Sequence, residues 1–131
     1  MKNISILGDS LSTFYSEDAV LTSYYHGDNE FYYPRYSQTI KTVEKTWWFQ
    51  VIENNEYNLF VNNSLSGSSA YGSSNKAGMS DERINSLFEK GNPDIVFVYL
   101  GTNDIVNGHT TEQFEEALKK IQAHAATRKI K

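Results

Sequence analysis

The chain has 131 residues, no cysteine, 39% hydrophobic and 14% aromatic side chains, and a formal net charge of −4. That length and apolar content suffice for one core, expected as a single domain over residues 1–131, and the missing thiols exclude a disulfide framework or a thiolate metal site. Lys and Arg are scattered rather than striped on an acidic chain, so no field is present to hold a phosphate backbone and nucleic acid is not an expected partner.

Met1-Lys2 leads straight into the first strand, Asn3 to Leu7, with no secretory apolar region, which predicts a cytoplasmic protein. Gly8-Asp9-Ser10-Leu11 comes next as a turn. Ser16 to Lys45 is a long Tyr-rich segment containing Tyr32-Tyr33-Pro34, expected at the surface as a pocket rim. Thr46 then N-caps a helix carrying Trp47, Trp48, Val51 and Ile52 at helical spacing. A second strand, Leu59 to Asn62, runs into a Ser, Gly and Asn segment, Asn62 to Gly78, also expected at the surface. Ser80, Asp81, Ile84, Leu87 and Phe88 predict an amphipathic helix that closes near Gly91. The third strand, Asp94 to Leu100, contains the longest apolar stretch, which is far too short to span a bilayer. A last helix runs from about Thr110 to His124, with Thr110 and Gln113 in capping-box spacing and Phe114, Ala117, Leu118 and Ile121 on one face. Strands alternating with helices predict a doubly wound α/β fold with a mainly parallel sheet.

Each strand is succeeded by a loop able to supply one part of an acyl-transfer site: Ser10 after the first, Gly67 after the second, Asn103 after the third. In an open parallel sheet these loops share the carboxyl edge, where ligands bind. Attack of a hydroxyl on an ester carbonyl creates an oxyanion, and a Gly backbone N–H and an Asn amide are suitable donors for it. Each block alone also has an ordinary structural reading. Gly-Asp-Ser is common turn chemistry before a helix cap, and Asn103-Asp104 could simply cap the next segment of chain.

Together the blocks Gly8-Asp9-Ser10-Leu11, Asn63-Ser64-Leu65-Ser66-Gly67 and Gly101-Thr102-Asn103-Asp104 resemble those of the SGNH or GDSL hydrolases, in the same order. The resemblance covers essentially the whole chain. It implies a flavodoxin-like three-layer α/β/α fold with Ser10 as nucleophile. Its own N–H, the Gly67 N–H and the Asn103 amide would form the oxyanion hole. The activity implied is hydrolysis of small-molecule acyl esters through an acyl-enzyme, without cofactor.

The family's last block, Asp-x-x-His, is not found before the chain stops at Lys131, so the fold is expected to be incomplete at its C-terminal side and the base for Ser10 is missing. His109, in the loop past Asn103, is the candidate substitute; His26 and His124 read as solvated, His124 with a favourable place near a helix C-terminus. Asp9 and Asp104 are expected to order their turns, and Trp47-Trp48 to pack. The alternative function is a catalytically silent module of the same fold that binds an acylated or carbohydrate ligand or associates with itself. A flavodoxin-like order, 2-1-3-4-5, would place Ile95 to Leu100 in the middle of the sheet, yet only Lys129-Ile130-Lys131 remains to begin a fourth strand. It is therefore expected as an exposed edge, which predicts either a homo-oligomer paired through it or a truncated reading frame. No His and carboxylate cluster has metal-ligand spacing.

Overall fold

The computed structural model describes residues 1–16, 23 and 31–130. His26, Tyr24, Tyr25 and Lys131 lie outside the described residues. Three strands, β1 (Asn3–Gly8), β2 (Asn58–Ser64) and β3 (Ile95–Tyr99), form a parallel sheet in the order β2-β1-β3. Gly8 is in register with Ser64 on one side and Tyr99 on the other, so all three strands end at one level.

The period-2 pattern of β1 divides the core between two faces. Ile4 and Ile6 meet Trp48 from helix α1 (Trp47–Asn55), together with Phe14, Tyr33 and Val43. Leu7 faces the other way, onto Ile84 of helix α2 (Asp81–Ser86), Leu87, Phe88 and Ile121 of helix α4 (Thr111–Thr127). Ser5, on that second face, donates its hydroxyl to the Leu87 carbonyl at 2.8 Å. The result is the expected three-layer α/β/α arrangement, with α1 on one side of the sheet and α2 and α4 on the other.

Capping chemistry sets the helix starts. Thr46 Oγ1 accepts from Phe49 N, Ser80 Oγ accepts from Arg83 N, and Thr110 and Gln113 form the reciprocal capping box. One short helix not evident in the sequence, α3 (Thr102–Val106), starts right after Gly101, whose φ of 139° is unfavourable for other residues.

One surface expectation is corrected. In the segment from Asn62 to Gly78, Ser64, Leu65, Ser68 and Ala70 are fully buried, because Arg83 and Asp104 draw this polar backbone inward as hydrogen-bond partners. In the Tyr-rich segment, Phe31, Tyr33 and Val43 are buried against the first core face or its margin, while Tyr32, Arg35, Tyr36 and most of residues 38–45 are exposed, in keeping with a surface segment.

The outer side of β3 carries no further strand among the described residues. Val98 and Tyr99 there are 37% and 44% exposed. Beside the strand an apolar groove of about 310 Å³ opens between Val96 and Val98 and the α4 side chains Leu118 and Ile121. The chain turns at Lys129, with φ of 57°, and Ile130 lines this groove.

Candidate active site

The site is built from the loops that leave the carboxyl ends of the strands. Gly8 ends β1 where space is minimal: a Cβ there would lie 2.7 Å from Ser12 Cβ and 2.8 Å from Ser64 Oγ. Only glycine lets the chain turn so close to β2. Asp9 then accepts from Leu11 N at 3.0 Å and starts a single 3-10 turn, Ser10–Ser12. Ser10 is its first residue. Its carbonyl is held by Thr13 Oγ1 at 2.7 Å, while its hydroxyl and its N–H have no hydrogen-bond partner among the described residues. Asn62 Nδ2 on the Ser12 carbonyl and Trp47 Nε1 on Ser12 Oγ, at 3.0 and 2.9 Å, fix the far end of the turn to β2 and α1.

Gly67 occupies the loop after β2 with φ of 79°, a conformation that costs a side-chain-bearing residue about 1 kcal/mol or more. Its N–H is likewise without a partner among the described residues. Asn103 sits in the first turn of α3 after β3, and its amide donates to the Ser68 carbonyl at 2.9 Å. That bond ties the third loop to the second and leaves the amide a second hydrogen. Each of Ser10, Gly67 and Asn103 thus stands on a loop rooted at the same sheet edge, with Asn103 bonded to the residue next to Gly67.

Arg83 holds the edge together from beneath, and its role was not evident from the sequence. The fully buried guanidinium donates through Nε to Asn63 Oδ1 at 2.7 Å. Through Nη1 it reaches Ser68 Oγ at 2.5 Å and the Lys76 carbonyl at 2.7 Å, and through Nη2 the carbonyls of Gly8 and Asn63, both at 3.0 Å. Burial lowers its pKa to about 10, and the charges of Asp9 and Glu82 oppose that shift. The same burial raises the Asp9 carboxyl above its ordinary value, against the Leu11 and Asp9 N–H groups and Arg83. A signal for Arg83 did exist: it precedes Leu87 by four residues and so shares the buried side of its helix.

Asp104 is a structural clamp. It is 3% exposed and accepts from Ala70 N at 2.8 Å and Tyr71 N at 3.0 Å, and His109 Nδ1 stands 3.0 Å from the same carboxylate. His109 also meets the Tyr71 ring edge to face. The hollow it lines is walled by Gly101, Ile105, Thr110 and Phe114, and Ser10 is not among its lining residues. His124 stands in the last turn of α4, as the helix-dipole reading expects, with its ring tilted over Phe88 and Nε2 buried without a hydrogen-bond partner among the described residues. Trp48 is fully buried and Trp47 half-buried, as packing roles require.

The chain is thus a parallel three-layer α/β protein with a serine on the first strand's turn, its hydroxyl unbonded among the described residues, and Gly and Asn on the next two loops. The chain belongs to the GDSL-like lipase/acylhydrolase family, whose model matches residues 2–128. Among solved structures it is similar to a GDSL-like lipase from Bacteroides ovatus, with 33% identity, a TM-score of 0.68, and coverage of 98% of this chain and 68% of that one. A second GDSL-like lipase, from Bacteroides uniformis, is 32% identical with a TM-score of 0.64, covering 95% of this chain and 64% of that one. The psychrotrophic esterase EstA from Pseudoalteromonas shares the fold at 20% identity and a TM-score of 0.61, covering 99% of this chain and 56% of that one. The chain thus spans about two thirds of the length of the Bacteroides structures. No functionally curated protein sequence matches it.

Proposed function

We propose that the chain carries the nucleophile and oxyanion half of an ester hydrolase. In this reading Ser10 Oγ attacks the acyl carbonyl, forming the acyl-enzyme as the alcohol leaves. The oxyanion is received by the N–H groups of Ser10 and Gly67 and the second Asn103 amide hydrogen. Water then attacks the acyl-enzyme, returning the Ser10 hydroxyl and releasing the acid. The observation that carries the reading is the set of unspent donors on loops rooted at one sheet edge: Ser10 N–H, Gly67 N–H and one Asn103 amide hydrogen. Donors left unspent by the fold are available at the moment charge develops, and that preorganisation is where such sites gain most of their rate.

The proton of Ser10 needs an acceptor. Asp104–His109 has the spacing of a carboxylate-imidazole pair, but its carboxylate is engaged by two backbone N–H groups and the hollow it lines is not lined by Ser10. The pair therefore serves loop structure, and catalysis through Ser10 uses a base from outside the described residues, from solvent, or from another chain.

A second reading is a silent module that binds an acylated or carbohydrate ligand or pairs with itself, and the bare edge of β3 favours the pairing. Among the described residues no helix is long and apolar enough to cross a membrane, and a cytoplasmic setting suits a chain without cysteine. The test is turnover of p-nitrophenyl acetate by the 131-residue protein beside Ser10→Ala at matched concentration. Turnover lost in the variant supports the hydrolase; equal rates in both support the silent module.

A further inference from the structure

We propose that Arg83 is a positioning residue for the oxyanion hole: through Ser68 it sets where the Gly67 N–H stands relative to the Ser10 turn. This rests on the ester-hydrolase reading and adds to that site a residue from outside its three loops.

Gly67 has little to hold its own place. It is exposed, and beyond its chain neighbours no atom lies within 4 Å of where a Cβ would stand, so packing does not restrain it. The restraint comes from the next residue. Ser68 is fully buried, its N–H donates to the Leu65 carbonyl at 3.2 Å, and its carbonyl accepts from Asn103 Nδ2 at 2.9 Å. Its hydroxyl accepts from Arg83 Nη1 at 2.5 Å and donates to the Lys76 carbonyl at 2.6 Å. A buried anchor thus carries an exposed donor beside it.

The other bonds of Arg83 give that anchor its reference point. Nη2 donates to the carbonyl of Gly8, two residues before Ser10, and to the carbonyl of Asn63 near the end of β2. One planar group therefore touches both the strand end that leads to the nucleophile and the loop that carries the Gly67 donor. All five N–H donors are engaged, so the plane cannot turn toward one acceptor without leaving another. Its base is fixed as well. Arg83 N is bonded to the N-cap Ser80, and the Asn63 side chain is held between Arg83 Nε and Ser86 Oγ of the same helix. None of the five acceptors is a carboxylate. A buried cation is costly to desolvate, so stability alone does not account for a guanidinium at this point, whereas placement of two loops does.

The test is saturation kinetics of Ser10 phosphonylation by an alkyl fluorophosphonate on the 131-residue protein, which separates probe affinity from the rate of bond formation. In that step Ser10 Oγ bonds phosphorus, fluoride leaves, and the hydroxyl proton passes to buffer. Ser68→Ala cuts the link to the Gly67 loop, and Arg83→Lys keeps the charge but not the plane. Ile121→Val, a core change on α4, controls for lost stability, and far-UV circular dichroism confirms that each variant is folded. Bond formation is expected to slow about tenfold or more in Ser68→Ala and Arg83→Lys, with affinity changed less than about twofold, and to stay normal in Ile121→Val. In isotope-labelled protein the Gly67 amide proton should move downfield on phosphonylation, and by less in Ser68→Ala. Ser68→Ala decides the matter if Arg83→Lys does not fold. A rate in Ser68→Ala equal to that of the unsubstituted protein, or slowed no more than in Ile121→Val, overturns the inference while leaving Ser10 as nucleophile. Absence of a Ser10 adduct in the unsubstituted protein removes the ester-hydrolase reading, and this inference falls with it.

Discussion

At the scale of single residues, the site rests on groups that are costly to replace. Arg83 serves acceptors from four separate positions, Gly8, Asn63, Ser68 and Lys76, and truncating it strands them in the interior at about 1–3 kcal/mol each. Arg83→Ala is therefore expected to lower unfolding free energy by at least about 3 kcal/mol, read from urea denaturation. Asp9 gives a pH signature. Its carboxyl titrates above the ordinary 3.8 in the folded protein, chiefly through burial, so the folded state holds the proton more tightly than the unfolded. The penalty of the buried carboxylate is full at neutral pH and is relieved as pH falls through the folded pKa toward 3.8. In Asp9→Asn that component of the stability profile should vanish, and a series of urea titrations between neutrality and pH about 4 would reveal it. For catalysis, Asn103→Ala removes one proposed oxyanion donor and should reduce kcat about 100-fold or more, with a smaller change in KM.

At the scale of elements, the hydrophobic period and the capping residues marked β1, α1, α2, β3 and α4 directly, because these signals are local. Thr110 and Gln113 illustrate this: both halves of the box form, and Thr110→Ala should cost about 1 kcal/mol, visible as a lower melting temperature. Ser10, Gly67 and Asn103 were legible as turn residues placed after strands. What escaped the sequence depends on partners far along the chain. The Ser-rich segment after β2 looks like surface by composition, yet Ser68 and Ala70 are buried because Arg83 and Asp104, 15 and 34 residues away, meet their polar groups. The helix α3 is short and lacks an apolar period, so it carried no signal beyond Gly101. His109 could be placed on the correct side of the sheet but not assigned a partner, since its pairing with Asp104 depends on the tight turn after α3.

At the scale of the whole molecule, the sheet is asymmetric. β1 and β2 end in buried residues, whereas β3 ends in exposed Val98 and Tyr99 beside an apolar groove, and the strand Ile95–Tyr99 carries none of the Lys, Pro or charge that normally blunts an edge. Concentration-dependent association is expected in sedimentation velocity, and Val98→Lys should shift it toward monomer. A monomer at all concentrations would rule out pairing through β3. The central claim concerns Ser10, and covalent trapping addresses it without requiring turnover. The 131-residue protein is incubated with an alkyl fluorophosphonate, and the adduct is located by peptide mass mapping. One adduct is expected, on Ser10, formed at least about tenfold more slowly in Asn103→Ala, because the phosphoryl oxygen occupies the oxyanion position. Absence of an adduct, or labelling spread over other serines at equal rates, would contradict Ser10 as the nucleophile.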